Sequence, residues 1–263
     1  MEESWRVGID PQVANVARIY DYYLGGKDHY PADIEAAEKV ISVSPYVPLA
    51  AKENRYFLRR AVEYLRVTGV RQFLDLGAGL PTQGNVHEVV PGARVVYVDH
   101  DPVVKLHADA LITDQDNVKT ITSDIRAPQD ILNHPVVRAA FDWDQPIAVL
   151  LFSVLHFVSD DDGAYDIVAQ LCDALPAGSW MAISHVTRDG FPQEKTGPIG
   201  TVYERSTAQV RFRSKKEVTR FFEGLRLVEP GMVYIPQWRP DGISEGLPPE
   251  KVGIFGGVGQ ILR

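Results

Sequence analysis

The stretch Phe73-Leu74-Asp75-Leu76-Gly77-Ala78-Gly79 decides the fold. Three of its first four residues are apolar, as a strand buried on both faces requires, and it runs directly into a glycine-rich turn. Such a turn brings bare backbone to the edge of a sheet, where a ligand can come to contact distance because no Cβ intervenes. Twenty residues beyond Gly79, a second apolar run, Val95-Val96-Tyr97-Val98, closes on Asp99. A carboxylate at the tip of a second strand can accept hydrogen bonds from both hydroxyls of a ribose, so turn and acid together indicate an adenosine-containing cofactor.

Outward from this pair, the same alternation continues. The runs VKTITSD (118–124), PIAVLLFS (146–153) and SWMAISHV (179–186) are separated by amphipathic or turn-rich stretches, the pattern of parallel strands joined by crossover helices. Further on, Ser214-Lys215-Lys216-Glu217 has the form of a capping box and predicts a helix. The last two strand-like runs, 225–236 and 251–263, lie too close together for two more helical crossovers, so the sheet is expected to end in antiparallel strands. Upstream, helical spacing from about Val13 to Leu24 stops at Gly25-Gly26, a second helix begins near Pro31, and a third runs from about Pro48 to Gly69. The expectation is a doubly wound, mostly parallel seven-stranded α/β sheet over residues 70–263, with residues 1–69 as a helical cap of the same folding unit.

Composition narrows the function. The chain has 263 residues with 27 Lys plus Arg against 35 Asp plus Glu, a net charge of −8, and a nucleic-acid binder would be basic along at least one face. Its single cysteine, Cys172, forms no internal disulfide, which fits a reducing, cytoplasmic compartment. The longest charge-free apolar run, 146–158, is shorter than the ~20 residues of a membrane span, and the acidic first ten residues do not read as a signal peptide. No metal site is expected, since Asp160-Asp161-Asp162-Gly163 lacks partner ligands and reads as an acidic helix start.

Turn and acid alone suit either a nicotinamide or an S-adenosylmethionine enzyme. The dinucleotide fingerprint asks for Gly or Ala where this chain has Thr82 after Pro81, about 70 residues precede the first strand, and the antiparallel ending suits the methyltransferase sheet. A nicotinamide-dependent oxidoreductase and a non-catalytic cofactor binder stay open as alternatives.

Five blocks carry a resemblance: ARIYDYYLGGKDHYPADIEAAE (17–38), LDLGAGLPT (74–82), VVYVDHDPVV (95–104), AVLLFSVLHFV (148–158) and the ending LVEPGMVYIPQWRP (227–240) with VGIFGGVGQ (252–260). Nearly the whole chain resembles an actinobacterial family first catalogued as a domain of unknown function and described as S-adenosylmethionine-dependent methyltransferases. The resemblance implies a class I methyltransferase fold with S-adenosylmethionine as cofactor. It puts Asp75, Gly77, Ala78 and Gly79 around the methionine end, Asp99 on the ribose, His100 along the adenine, Asp124 at the adenine amino group, Ile125 against its ring, and Ser153 beside the sulfonium. For Asp124 the plainer reading is a strand-end cap, and Asp101 fits a helix cap better than Asp99 does.

Methyl transfer is an in-line displacement in which alignment and exclusion of water do much of the work. A base is needed only where the acceptor must lose a proton. Candidates are His156, just past the fourth strand, His29 in the turn after Gly25-Gly26, and Tyr23, each with a structural role as the alternative. Tyr20 reads as packing, and Asn54-Arg55 as a solvated helix face, with a return to the same cleft as the alternative. The basic run Arg205, Arg211, Arg213, Lys215, Lys216 and Arg220 reads as wet surface, and residues 187–200, rich in turn formers, as a mobile loop. The acceptor is expected to be a small molecule and the protein a monomer or homodimer.

Overall fold

The computed structural model describes residues 10–81, 84–111, 115–190, 193–204 and 206–262. The readings that fell on residues 1–9, Thr82 and Arg205 lie outside them. Eight strands form one sheet: β1 (Gln72–Leu76), β2 (Arg94–Asp99), β3 (Val118–Thr122), β4 (Ala148–Phe152), β5 (Trp180–Val186), β6 (Leu225–Leu227), β7 (Val233–Tyr234) and β8 (Ile254–Ile261). The order is β3-β2-β1-β4-β5-β8-β6, with β7 also on β8. β1 to β5 run parallel, and β8 lies antiparallel to β5, β6 and β7. The expected antiparallel ending is present, with eight strands instead of seven because the run 225–236 breaks in two. Pro230 has no N–H for a ladder, and Gly231 turns at φ +83°.

Eleven helices accompany the sheet: α1 (Val16–Tyr23), α2 (Pro31–Val43), α3 (Val47–Val67), α4 (Val86–Val89), α5 (Pro102–Leu111), α6 (Pro128–Leu132), α7 (Pro135–Ala140), α8 (Ala164–Ala174), α9 (Gln193–Glu204), α10 (Lys215–Arg220) and α11 (Pro249–Val252), counted among the described residues. Side chains alternate across each strand. Leu74, Leu76, Val149 and Leu151 therefore join Ile131 of α6 and Leu171 of α8 on one face. Phe73, Val95, Ala148 and Leu150 meet Phe57 and Leu65 of α3 on the other. By the same alternation, Asp75 falls on the α3 face.

A third apolar cluster draws Ile19 and Tyr23 of α1, Ala37 and Val40 of α2, Ala51 of α3 and Ile199 of α9 together. Its formation corrects the reading of residues 187–200 as a loop. From Gln193 they are helical straight through Pro198, because burying Ile199 against α1 and α2 outweighs the poor propensity of Gly and Pro. No helix among the described residues is long and apolar enough to cross a membrane.

The block 17–38 is built around two buried carboxylates. Asp33 accepts from Arg18 Nε at 2.7 Å, Asn15 N at 2.8 Å and Tyr30 N at 2.7 Å. Asp21 accepts from Asp28 N at 2.9 Å and lies 3.2 Å from His29 Nδ1. A Cβ at Gly26 would sit 1.9 Å from Asp21 Oδ1, so only glycine lets the turn close.

Candidate active site

Strand register brings the chemistry to one edge. Asp75 lies level with Tyr97 on β2 and with Leu150 on β4, so Gly77 comes beside Asp99 and level with the end of β4. The strand order reverses between β1 and β4, where open α/β sheets leave a crevice. Here that crevice is a cavity of about 870 Å³, roofed by α1, α2, α3, α9 and the segment 206–212.

The glycine turn and the acid meet as their spacing suggested. Gly77 N–H donates to Val98 O at 2.8 Å, and Gly77 has φ +71°, where a Cβ would also fall 2.3 Å from Val154 Cγ2. Gly79 N–H donates to Asp99 Oδ2 at 2.9 Å, and Asp101 N–H donates to Asp99 Oδ1 at 3.0 Å. A carboxylate has about four lone-pair sites, so these two bonds orient it and leave acceptor capacity toward the cavity. His100 Nδ1 stands 3.4 Å from Asp99 Oδ1, and that hydrogen bond raises the pKa of its half-exposed ring. Asp101 caps α5 through Val103 N–H at 2.8 Å. Asp124 both caps its turn, accepting from Arg126 N at 2.9 Å, and lines the cavity with Ile125. The paired Arg126 guanidinium holds its carboxyl below the usual range.

Asp75 and its neighbour on α3 correct one sequence reading. Asn54 is buried and Arg55 lines the cavity, where a solvated helix face was expected, because α3 packs flat on the sheet. Arg55 Nη2 donates to Gly84 O at 3.0 Å. Asn54 Nδ2 donates to Tyr20 Oη at 3.0 Å and Asn54 Oδ1 accepts from Ser184 Oγ at 2.6 Å, while Ser184 Oγ accepts from Ser153 N at 2.9 Å. Ser153 is held at φ +52°, a left-handed conformation that costs a non-glycine residue of order 1–3 kcal/mol. The chain Tyr20–Asn54–Ser184–Ser153 thus ties α1 through α3 to the tips of β4 and β5. Ser184 had no distinguishing signal in the sequence, because a serine inside a strand looks like any other.

The 3₁₀ turn Leu155–Phe157 carries His156 into the cavity wall. Behind it, Arg213 is fully buried, which corrects its reading as wet surface. Its guanidinium donates to Leu155 O and Val158 O, each at 2.9 Å, to Asp160 Oδ1 at 2.7 Å, and to His185 Nε2 at 2.8 Å. His185 Nδ1 lies 2.6 Å from Val186 O, so Nδ1 carries the hydrogen and Nε2 accepts. Burial pushes the His185 pKa down to about 3, with Arg213 adding to the effect. Burial, His185 and Arg213 likewise hold His156 well below the ordinary histidine value, and its buried Nδ1 has no hydrogen-bond partner among the described residues. Tyr23 Oη lies 3.5 Å from Tyr203 Oη, and burial raises both phenols. Of the candidate bases, His156 and Tyr23 line the cavity. His29 does not, its ring being engaged by Asp21 in the turn after α1. Among the described residues no group of three or more His, Cys, Asp or Glu side chains has the arrangement of a metal site.

The donor set also separates the two cofactor classes. Asp75, Asp99, Asp101 and Asp124 ring the glycine turn, facing Arg55 and Arg126. This predominantly acidic lining disfavours a pyrophosphate and favours a ligand bearing an ammonium and a sulfonium. The residues present therefore fit S-adenosylmethionine, and sheet order, antiparallel edge and acid-lined crevice define a class I methyltransferase. The model of the S-adenosyl methyltransferase family matches residues 2–262, and the chain belongs to that family. It is an S-adenosylmethionine-dependent methyltransferase. It resembles the crystal structure of a DUF574 family protein from Streptomyces avermitilis MA-4680, at 38% identity, TM-score 0.90, and coverage of 96% of this chain and 99% of that one. A protein from Thermobifida fusca YX is similar at 36% identity and TM-score 0.90 over 100% of both chains. The N-methyltransferase NodS from Bradyrhizobium japonicum WM9, solved with S-adenosylhomocysteine, shares the fold at 13% identity and TM-score 0.51, covering 88% of this chain and 98% of that one. No match was found among curated proteins.

Proposed function

We propose that this enzyme methylates a small molecule, with S-adenosylmethionine lying across the tips of β1, β2 and β3. Asp99 would accept from both ribose hydroxyls, His100 and Ile125 would flank the adenine, and Asp124 would receive its amino group. Asp75, Gly77, Ala78 and Gly79 would hold the methionine end, with Ser153 on the side of the sulfur. The single observation supporting this most strongly is the orientation of the Asp99 carboxylate by Gly79 N–H and Asp101 N–H at the mouth of the glycine crevice.

When bound, the cofactor supplies an electrophilic methyl carbon on a cationic sulfur. The chain's contribution is to align the acceptor and exclude water. Residues 1–69, described from residue 10 onward, act as a cap over the 70–263 core, with Tyr20 and Tyr23 of α1 lining the cavity and Tyr23 meeting Tyr203 of α9. His156 and Tyr23 are the groups we assign to contact with the acceptor. Because its surroundings oppose a charged ring, His156 acts as a neutral hydrogen-bonding group that orients, without storing a proton. The acidic net charge argues against nucleic acid as acceptor, and a lone cysteine suits a cytoplasmic monomer or homodimer.

Calorimetric titration tests the assignment. S-Adenosylhomocysteine is expected to bind and NAD to leave no heat, and Asp99→Ala should weaken S-adenosylhomocysteine by more than ~1 kcal/mol through lost charge-assisted hydrogen bonds. Affinity unchanged in Asp99→Ala removes that residue from the site, and binding of NAD alone overturns the cofactor placement.

A further inference from the structure

The part of the cavity beyond Ser153 is bounded by the turn Leu155–Phe157 and by α1, α2 and α9. We infer that it receives an uncharged nitrogen heteroaromatic whose ring nitrogen already carries a free lone pair at neutral pH. The inference rests on the methyl-transfer reading of the site given above.

A run of rings forms part of its wall, beside aliphatic side chains such as Val40 and Ile199. His156 lies 4.3 Å from Phe157 between centroids, Phe157 lies 5.8 Å from Tyr203, and Tyr203 meets Tyr23 through their hydroxyls. Flat aromatic faces favour a flat aromatic guest, stacked or edge-on.

Charge is absent from the interior of this part among the described residues. The charged side chains lining the cavity belong either to the cofactor side, from Arg55 and Asp75 to Arg126, or to the exposed rim of Asp160, Asp161, Asp162 and Arg211. At that rim Asp160 is paired with Arg211 and Arg213, and Asp162 accepts from Ser159 Oγ at 2.7 Å. A carboxylate, phosphate or ammonium taken inside would shed its water and meet no counter-ion, so charged acceptors are selected against.

Proton bookkeeping narrows the class further. Hydroxyl and ammonium acceptors must release a proton, yet among the described residues the interior offers only His156, held neutral by burial and by Arg213 behind it, and buried phenols that keep their protons. A heteroaromatic nitrogen needs no such exchange. Its lone pair forms the new N–C bond, the pair of the broken S–C bond stays with sulfur, and no proton moves. The positive charge passes to the ring, where delocalisation and facing aromatic rings accommodate it.

The test uses three probes of matched ring size on the whole protein, with and without saturating S-adenosylhomocysteine. Quinoline is uncharged at neutral pH, 2-naphthoate is an anion and 2-naphthylmethylamine a cation. Quinoline is expected to bind at least ~10-fold more tightly than either charged probe, and Tyr203→Ala to weaken it while leaving S-adenosylhomocysteine binding intact. With S-adenosylmethionine present, quinoline should be methylated faster than 2-naphthol. Equal or tighter binding of a charged probe, indifference of quinoline to Tyr203→Ala, or the reverse order of methylation overturns the inference. Failure of S-adenosylhomocysteine itself to bind overturns the underlying reading of the site instead, and the ranking of the three probes without it still decides this one.

Discussion

Asp75 stands at the end of β1 with its side chain turned toward α3, and its environment makes it the carboxyl most sensitive to pH. Burial pushes its pKa up to about 7; the Arg55 guanidinium pulls it down, and the charge of Asp99 pushes it further up. The folded state therefore keeps a proton that the unfolded chain releases from about pH 4 upward. The contribution of this group is fully present below pH ~4 and is lost as pH rises through ~7, an effect on the order of a few kcal/mol. In Asp75→Asn that decline should disappear. Urea unfolding across the window measures it, and parallel pH profiles for the two proteins would contradict the assignment. Gly77 acts at the same scale, with both its positive φ and the approach of Val154 excluding a side chain. The importance of this glycine and of Asp99 was legible because each follows an unmistakable apolar run. Asp75 was legible as a position, whereas its shifted titration depends on α3 lying across it.

Among the elements, α10 and the turn Leu155–Phe157 are coupled through one arginine. The capping box at Ser214 forms as its spacing indicated, with Ser214 N–H donating to Glu217 Oε2 at 2.7 Å. The residue just before it, Arg213, ends inside the protein, where two backbone carbonyls, Asp160 and His185 all depend on it. Arg213→Met should cost about 3 kcal/mol, because it strands buried acceptors as well as removing a pair. It should also speed amide exchange in the turn that carries His156. A loss under ~1 kcal/mol by chemical denaturation would mean that these acceptors find other partners. No pattern in the run of six basic residues separates Arg213 from its neighbours, since burial of one arginine is decided by the loop it meets 53 positions away in sequence. The same holds for α9, whose glycines and proline read as a loop until α1 and α2 supply an apolar surface for Ile199.

At the scale of the whole molecule, α1, α2 and α9 close over the strand tips through an apolar cluster separate from the two beneath the sheet faces. α3 belongs to both levels: Phe57 and Leu65 pack on the sheet and Ala51 packs under the cap. The cap helices α1, α2 and α3 should consequently unfold together with the rest in one cooperative transition, seen as coincident far-ultraviolet and tryptophan signals. S-Adenosylhomocysteine is expected to slow amide exchange in α1 and α9 as well as in the glycine turn, because the cavity is bounded by all three. Protection confined to the turn would separate the cap from the cofactor site.

Short-range chemistry settled a great deal of this protein before any packing was known. Strand apolarity, the glycine turn, the acid at 99, the helix stop at Gly25 with φ +78° and the capping box each depend on residues a few positions apart, so the parallel core, its antiparallel edge and the cofactor crevice were readable from the chain itself. Tertiary structure alone decided which polar side chains were taken out of water. Asn54, Ser184, His185 and Arg213 acquire their partners from segments 28 to 130 residues away, and the burial that gives them meaning is a property of the assembled layers, invisible to any local pattern.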